Sequence, residues 1–267
     1  MGGQFEKYFY DVRAECPYGM PYTAIYRQTR FITLPMEIME VFLEAGFRRN
    51  GNYLYTMKCR DCQACVPIRL EPGSFKPNRS QRRAWRRNQD LRVKNVPLRI
   101  TNDKLAICDK FLQKRFPGRG NTSLEYYAGF FVNSLGFTRE VEFWLDDRLV
   151  AVSIVDIYEN AINCVYFYFD PDESSRSLGT YNILFLIDYA LKHGIKYLYL
   201  GLYIEEVPSM NYKAGFKPYY LLIDGQWQPG DNEENGKKGR EEAGSGTINR
   251  GDPPIPVSTH NNLHRGR

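Results

Sequence analysis

"EVEFWLDDRLVAVSIVDIYENAINCVYFYFDPDESSRSLGTYNILFLIDYALKHG", residues 140–194, sets the architecture of this chain. Two runs rich in β-branched and aromatic residues flank Asp146-Asp147, the composition of a hairpin. "AINCVYFYFDP" adds a strand that stops at Asp170-Pro171. The period then changes. "SLGTYNILFLIDYALKHG" is a long helix, amphipathic at first and buried further on, ending at Gly194. Antiparallel strands followed by a helix that must lie on them predict an α+β layer.

The pattern continues on both sides. "KYLYLG" is a strand, and "NYKAGFKPYYLLI" is a short helix running into a last strand. "NDKLAICDKFLQKRF" and "SLEYYAGFFVNSL" are helical patterns that open the same unit, expected over residues 96–228. Ahead of it, residues 1–95 are expected to form an N-terminal cysteine-containing domain. It holds strand-like "TAIYRQT", a helix after Pro35 ("MEIMEVFLEA") capped by Gly46, "NYLYTM", a cysteine cluster, "CVPIRLE" and a basic helix. Residues 229–267 are Gly-, Pro-, Asn- and charge-rich with almost nothing to bury. They read as a disordered tail in which His260 and His264 have no role.

The 267 residues are 43% hydrophobic and 15% aromatic, enough for two modest cores. The longest apolar runs are too short and too interrupted to span a bilayer. "MGGQFEKYFY" lacks the apolar run of a secretion signal, and Glu6 stands where a myristoylation signal needs Ser or Thr. A soluble cytoplasmic protein without membrane partners is the expectation. The net charge is +5, and the tail from Gln228 onward is balanced, so the surplus lies in the folded body.

That surplus is organised. Arg79, Arg82, Arg83, Arg86 and Arg87 fall on one helical face, while Gln81 and Trp85 point elsewhere, Trp85 towards the body. Lys76, Arg92 and Lys94 extend the stripe, and only Asp90 opposes it. Stacked like charges destabilise a helix, a cost that makes sense where a polyanion covers them. Guanidinium pairs well with phosphate, so the stripe is read as a sequence-independent RNA contact.

"CRDCQAC" places Cys59, Cys62 and Cys65 at the spacing of three iron–sulfur ligands, with Cys16 in "ECPYG" as the best fourth. Zinc accepts the same four thiolates. A metal-free cluster of buried thiols is the third reading. No histidine lies in this half of the chain to activate a thiol nucleophile.

"DDRLVAVSIV", "YFYFDP", "RSLGTYNILFLIDYA" and "YKAGF", in that order, resemble the GNAT acyltransferase fold. In that fold an Arg/Gln-x-x-Gly-x-Gly/Ala loop presents a helix N-terminus to a pyrophosphate. Here the loop is Arg176-Ser-Leu-Gly179-Thr-Tyr181, without the final small residue, which argues against coenzyme A. Gly179 also has the plainer reading of a tight strand-to-helix turn.

"ECPYGMPYTAIYRQ", "EAGFRRNGNYLY", "CRDCQACVPIRL", "FKPNRSQRRAWRRNQDL", "VYFYFDPD" and "YLYLGLYIEEVPSMNYKAGFKP" together resemble the aminoacyl-tRNA–protein transferases. That family includes eukaryotic arginyltransferases and bacterial aspartate/glutamate leucyltransferases. The resemblance runs from about residue 11 to residue 228 and leans to the bacterial branch. It implies transfer of leucine or arginine from aminoacyl-tRNA to the N-terminal α-amine of proteins beginning with Asp or Glu, marking them for degradation. It implies that the stripe, with Arg176 and Gly179, holds tRNA. It also implies an iron–sulfur site at Cys16, Cys59, Cys62 and Cys65, as in eukaryotic members. The ester is already activated, so the transfer itself requires no cofactor.

Catalysis is then mainly positioning, with an oxyanion to stabilise and a ribose oxygen to protonate. Tyr212 and Lys213 are the candidates at that end, since in GNAT enzymes a tyrosine before a comparable "GF" acts as general acid. Tyr212 packing under the sheet is the alternative. Asp170 is a third catalytic candidate, able to accept from the incoming ammonium, or else the cap of the turn before Pro171. Arg48, Arg49, Arg176 and Lys213 are the cations available for the acidic acceptor side chain. His193 reads as a dipole partner at a helix end. Leucine as the transferred residue needs an apolar pocket, and arginine needs a carboxylate such as Glu205 or Glu206. Two other functions compete: a coenzyme A-dependent N-acetyltransferase, and a non-catalytic RNA-binding module with a structural metal.

Overall fold

The computed structural model describes residues 6–230. The tail expected over residues 229–267 lies outside them from residue 231 onward. The described chain is a mixed α+β structure with two sheets.

The smaller sheet has the order β1-β2-β4-β3, all antiparallel. Its strands are β1 (Tyr10–Glu15), β2 (Thr23–Arg30), β3 (Arg48–Asn50) and β4 (Tyr53–Met57). Helix α1 (Met36–Glu44) joins β2 to β3 and ends, as expected, on Gly46 at φ 87°. A Cβ there would also come within 2.5 Å of Leu222.

The larger sheet has the order β12-β11-β5-β10-β9-β8-β7-β6. It contains β5 (Val66–Leu70), β6 (Leu91–Pro97), β7 (Thr138–Leu145), β8 (Arg148–Ile157), β9 (Ala161–Phe169), β10 (Tyr197–Tyr203), β11 (Tyr219–Ile223) and β12 (Gln226–Pro229). Between them run α2 (Arg79–Arg87), α3 (Asn102–Arg115) and α4 (Leu178–Lys192).

The hairpin across Asp146-Asp147 forms, with Asp146 at φ 53°. In β8, Val150, Ala151, Val152, Ile154 and Val155 are all fully buried. That explains why the sequence there shows a continuous apolar run and not an alternation. One face packs on α4 through Leu178, Leu186 and Ala190, the other on α3 through Leu112. His193 sits at the α4 C-terminus with its Nδ1 2.8 Å from the Tyr189 carbonyl, the end-of-helix position expected of it.

Three expectations are corrected. The division at residue 95 does not follow the sheets. β5 and β6 lie before or across it and belong to the larger sheet, with β5 inserted between β10 and β11. A strand from the first third of the chain thus completes the second unit's core. The basic stripe ends at Arg87, because Arg92 and Lys94 lie on β6. Arg92 stands 3.7 Å from Asp147, and Lys94 lies over the Trp144 ring. "SLEYYAGFFVNSL" makes only a helical turn (Ser123–Tyr126) and a π turn (Tyr127–Phe131). The β3–β4 turn presses on it. Gly51 donates to the Phe130 carbonyl, and a Cβ at Gly51 would lie 2.6 Å from the Gly129 oxygen.

Candidate active site

The two central strands part company. Among the described residues β9 and β10 are the one parallel pair, and they bond only over Ala161–Asn163 and Tyr197–Tyr199. Beyond that, both strands are irregular. β9 shifts register against β8 after Ile154, and β10 shifts against β5 where Gly201 takes φ 87°. The opening leads into a cavity of about 570 Å³. Its walls come from β3, β9, β10, the start of α4, the end of α3, the π turn and the turn around Tyr212.

The lining has a definite chemistry. Arg48, Arg49, Arg115 and Lys213 contribute cations, and Phe111, Phe116, Phe130, Phe131 and Tyr166 contribute aromatic surface. Among the described residues that line it, none is Asp or Glu. Glu205 and Glu206 are exposed and stand elsewhere.

The cations are not equivalent. Arg49 is spent on the protein. Its Nε and Nη2 grip the two Asp156 oxygens at 2.7 Å each, and both side chains are fully buried. Lys213 is buried and donates to the Leu202 carbonyl at 2.8 Å, with the Met210 sulfur at 3.5 Å. Arg48 is 5% exposed. It donates through Nη1 to the Phe47 carbonyl at 2.7 Å and through Nη2 to the Gly201 carbonyl at 3.1 Å. Its Nε has no hydrogen-bond partner. Burial pushes its pKa down to about 10, so it remains charged at neutral pH. Arg48 and Lys213 are therefore held by consecutive carbonyls of β10. Cys164, also in the lining, is pushed up to about 12 by burial and stays a thiol. Three buried amide oxygens, Oδ1 of Asn50, Asn163 and Asn182, belong to lining residues and are also unpartnered.

Tyr212 is 45% exposed and lies in the cavity wall, so it does not pack under the sheet. Gly179 lines the cavity within the first turn of α4. The tight turn ahead of the helix is made by Ser177 at φ 57°, not by Gly179. Ser177 caps no amide with its side chain, which leaves the first N–H groups of α4 without a side-chain partner.

The other sequence candidates lie outside the cavity. Asp170 caps the turn after it by accepting from the Asp172 amide, and it pairs with Lys110 at 2.6 Å and Arg148 at 3.0 Å. Burial alone would raise its pKa, but these partners outweigh it and hold the carboxyl below the ordinary value. Arg176 is bound to Glu173 and Asp90. The five stripe arginines are all exposed on α2, whose other face buries Gln81, Ala84 and Asn88. Trp85 packs on Tyr181 with ring centroids 5.6 Å apart, the anchoring role expected of it. Asn78 and Gln81 form a capping box at the start of the helix. At its far end Arg87 donates to the Ser175 carbonyl, next to Ser174 and Ser177 in the cavity wall. The basic face thus leads to the mouth of the cavity.

Cys16, Cys59, Cys62 and Cys65 gather behind the Met210 wall. Cys65 packs against Leu202, Ile204, Val207 and Met210. Burial first, then the other three thiols, pushes the Cys65 thiol well up, and Cys59 accepts from the Ile25 amide at 3.4 Å. Among the described residues no three His, Cys, Asp or Glu side chains converge closely enough to hold a metal ion. The four thiols are near enough to raise one another's pKa, but in this arrangement they do not form the ligand set of a single metal ion such as zinc.

Sequence reasoning missed Arg115 and the three asparagines. A signal existed for two of them, since Asn163 interrupts an apolar central strand and Asn182 sits on the buried face of a helix.

Comparisons with known proteins place the chain among its relatives. The family described as arginine-tRNA-protein transferase matches through its N-terminal model over residues 14–83 and its C-terminal model over residues 103–223. An aspartate/glutamate leucyltransferase of Pseudomonas fluorescens is 35% identical over 218 residues, 79% of this chain and 93% of that protein. Another, of Methylobacillus flagellatus, is 39% identical over 189 residues, 70% of this chain and 76% of that protein. Among solved structures, L-PGS from Bacillus licheniformis matches 66% of this chain and 53% of that chain, at TM-score 0.41 and 12% identity.

Proposed function

The chain belongs to the arginine-tRNA-protein transferase family, and from that premise we propose that it transfers leucine from leucyl-tRNA. The acceptor is the N-terminal α-amine of a protein beginning with Asp or Glu. The chain is an aminoacyltransferase, and its similarity to the leucyltransferases extends over both halves. This supports the transferase over the coenzyme A-dependent and non-catalytic alternatives.

The lining of the cavity carries the choice of leucine. Its aromatic wall suits an apolar side chain, and among the described residues it offers no carboxylate to an arginyl guanidinium. Burying that guanidinium unpaired among Arg48, Arg49 and Lys213 would be costly.

The reaction forms one bond and breaks one. A neutral α-amine, available near pH 7 because its pKa is ~7.7–8.0, attacks the leucyl ester carbonyl. The new amide C–N bond forms, and the C–O bond to the ribose breaks. The ribose oxygen leaves with the bonding pair and gains the proton that the amine sheds. Lys213 supplies positive charge for the oxyanion, and Tyr212 returns the proton at the ribose end. The free amides of the first α4 turn, around Gly179, take a phosphate of the tRNA 3′ end. The α2 stripe holds the acceptor arm. Arg176 orders the segment leading into α4, and Asp170 serves it as a cap rather than as a proton acceptor. GNAT-like strand divergence thus serves a nucleic-acid-borne acyl group in this reading.

The test is a transfer assay with labelled Leu-tRNA and Arg-tRNA, offered separately with a peptide beginning with Asp. Leucine label on the peptide is expected. Arginine label alone would overturn the choice of leucine, and no label from either would overturn the function.

A further inference from the structure

We infer that Arg48 is the receptor for the acidic side chain of the acceptor's first residue, a subsite that rests on the transferase reading above. A buried charge carries it, one to which the protein gives two carbonyls and the Tyr199 ring face but no acid. Among the described residues no carboxylate lies within ion-pair distance of Arg48, although it is 5% exposed. Tyr199, Tyr158 and Cys164 beside it are pushed up by burial and stay neutral at pH 7, so none supplies a counter-charge. Buried guanidiniums are normally paired, because desolvation is otherwise unrelieved.

The other cations of the wall are less suited. Arg49 is already neutralised by Asp156, Lys213 serves the oxyanion in the reading above, and Arg115 is exposed at the rim. Arg176 is outside the cavity and doubly paired.

Arg48 is also preorganised. The Phe47 and Gly201 carbonyls hold its two terminal nitrogens and fix the guanidinium plane, while Nε stays without a partner. The neighbouring residue shows what a carboxylate does with such an edge, since Asp156 takes Nε and Nη2 of Arg49 together. A second feature fits an N-terminal acidic residue, which carries an amine a few bonds from its carboxylate. Asn163 donates its Nδ2 to Asp156 at 3.1 Å, and a carboxylate only accepts, so the amide orientation is fixed. Its Oδ1 is therefore a buried acceptor without a partner in the same lining. Asn50, two residues from Arg48, offers another. One guanidinium donor edge beside amide acceptors complements a carboxylate beside an amine.

The experiment measures kcat/KM for leucyl transfer to peptides beginning with Asp, Asn, Glu or Gln, using wild type, Arg48→Gln and Arg48→Lys. Wild type is expected to favour Asp over Asn, and Glu over Gln, by at least about 100-fold, because the site rejects an isostere that leaves its charge unpaired. Arg48→Gln should lose about 100-fold on the acidic peptides while the amide peptides change by less than about threefold, collapsing the ratio. Arg48→Lys, which keeps the charge but not the fork, should retain part of the ratio. If Arg48→Gln does not fold, a ratio unchanged in Arg48→Lys overturns the assignment. Equal losses on all four peptides, or a raised KM for tRNA with the ratio intact, also overturn it and leave the transferase reading standing. Wild type that transfers leucine to no peptide would instead refute that reading.

Discussion

Replacing Arg82, Arg83, Arg86 and Arg87 together with Ala should change how tRNA binding responds to salt. All four side chains are exposed on one face of α2, and the helix is held from its other face by Gln81, Ala84, Trp85 and Asn88. The capping box at Asn78 is untouched, and Ala is a better helix former than Arg, so α2 should persist. The hydrogen bonds removed with these side chains run from Arg82 to the Pro77 carbonyl and from Arg87 to the Ser175 carbonyl, both at the exposed surface. Each phosphate neutralised releases about 0.7 to 0.9 of a counterion, so four arginines contribute about 3 to the slope of log K against log salt. Between 50 and 200 mM salt, wild type should then lose roughly 60-fold more affinity than the variant. The assay is filter binding of leucyl-tRNA across that range, with circular dichroism to verify the fold. Transfer at saturating tRNA should be largely kept, since none of the four lines the cavity. An unchanged slope in a folded variant would show that tRNA does not lie on this face.

Three further outcomes follow from the geometry. Tyr212→Phe and Lys213→Met should lower single-turnover transfer by about 10²–10⁴-fold while tRNA affinity is retained. Normal turnover in both would remove them from the chemistry. Asp156→Asn strands the buried Arg49 charge and should cost about 3–5 kcal/mol in urea unfolding, whereas an effect below about 1 kcal/mol would contradict the burial. Asp170 has a folded pKa held below its ordinary 3.8, so its contribution is present above that pH and is lost as pH falls through the folded value. Asp170→Asn should therefore be less stable than wild type at pH 7, and the gap should close below pH 3.8. A gap independent of pH would mean that the carboxylate charge is not the cause.

Much of the site was legible because the residues that make it are chemically conspicuous. "NYKAGF" and "RSLGTY" each bring one cavity residue or more into the same wall. Arg48 and Arg49 could not be ranked from sequence. Adjacent arginines on a strand look alike until Asp156, 107 positions away from Arg49, takes one of them. The cysteine spacing was equally visible, but spacing along a chain does not fix the distance between sulfurs, and here the gathered thiols do not close round a single metal ion.

The sequence by itself determined the local order of elements. The hairpin, the buried strand, the capped helix and the one-sided basic face follow from period, turn chemistry and charge, which act between near neighbours. Only the tertiary structure decided the rest. It set β5 into the second unit's sheet, ended the pairing of β9 with β10 at Asn163 and Tyr199, and left one of two adjacent guanidiniums without an acid. Those outcomes depend on packing between residues far apart in the chain, where burial, not local preference, sets the energy.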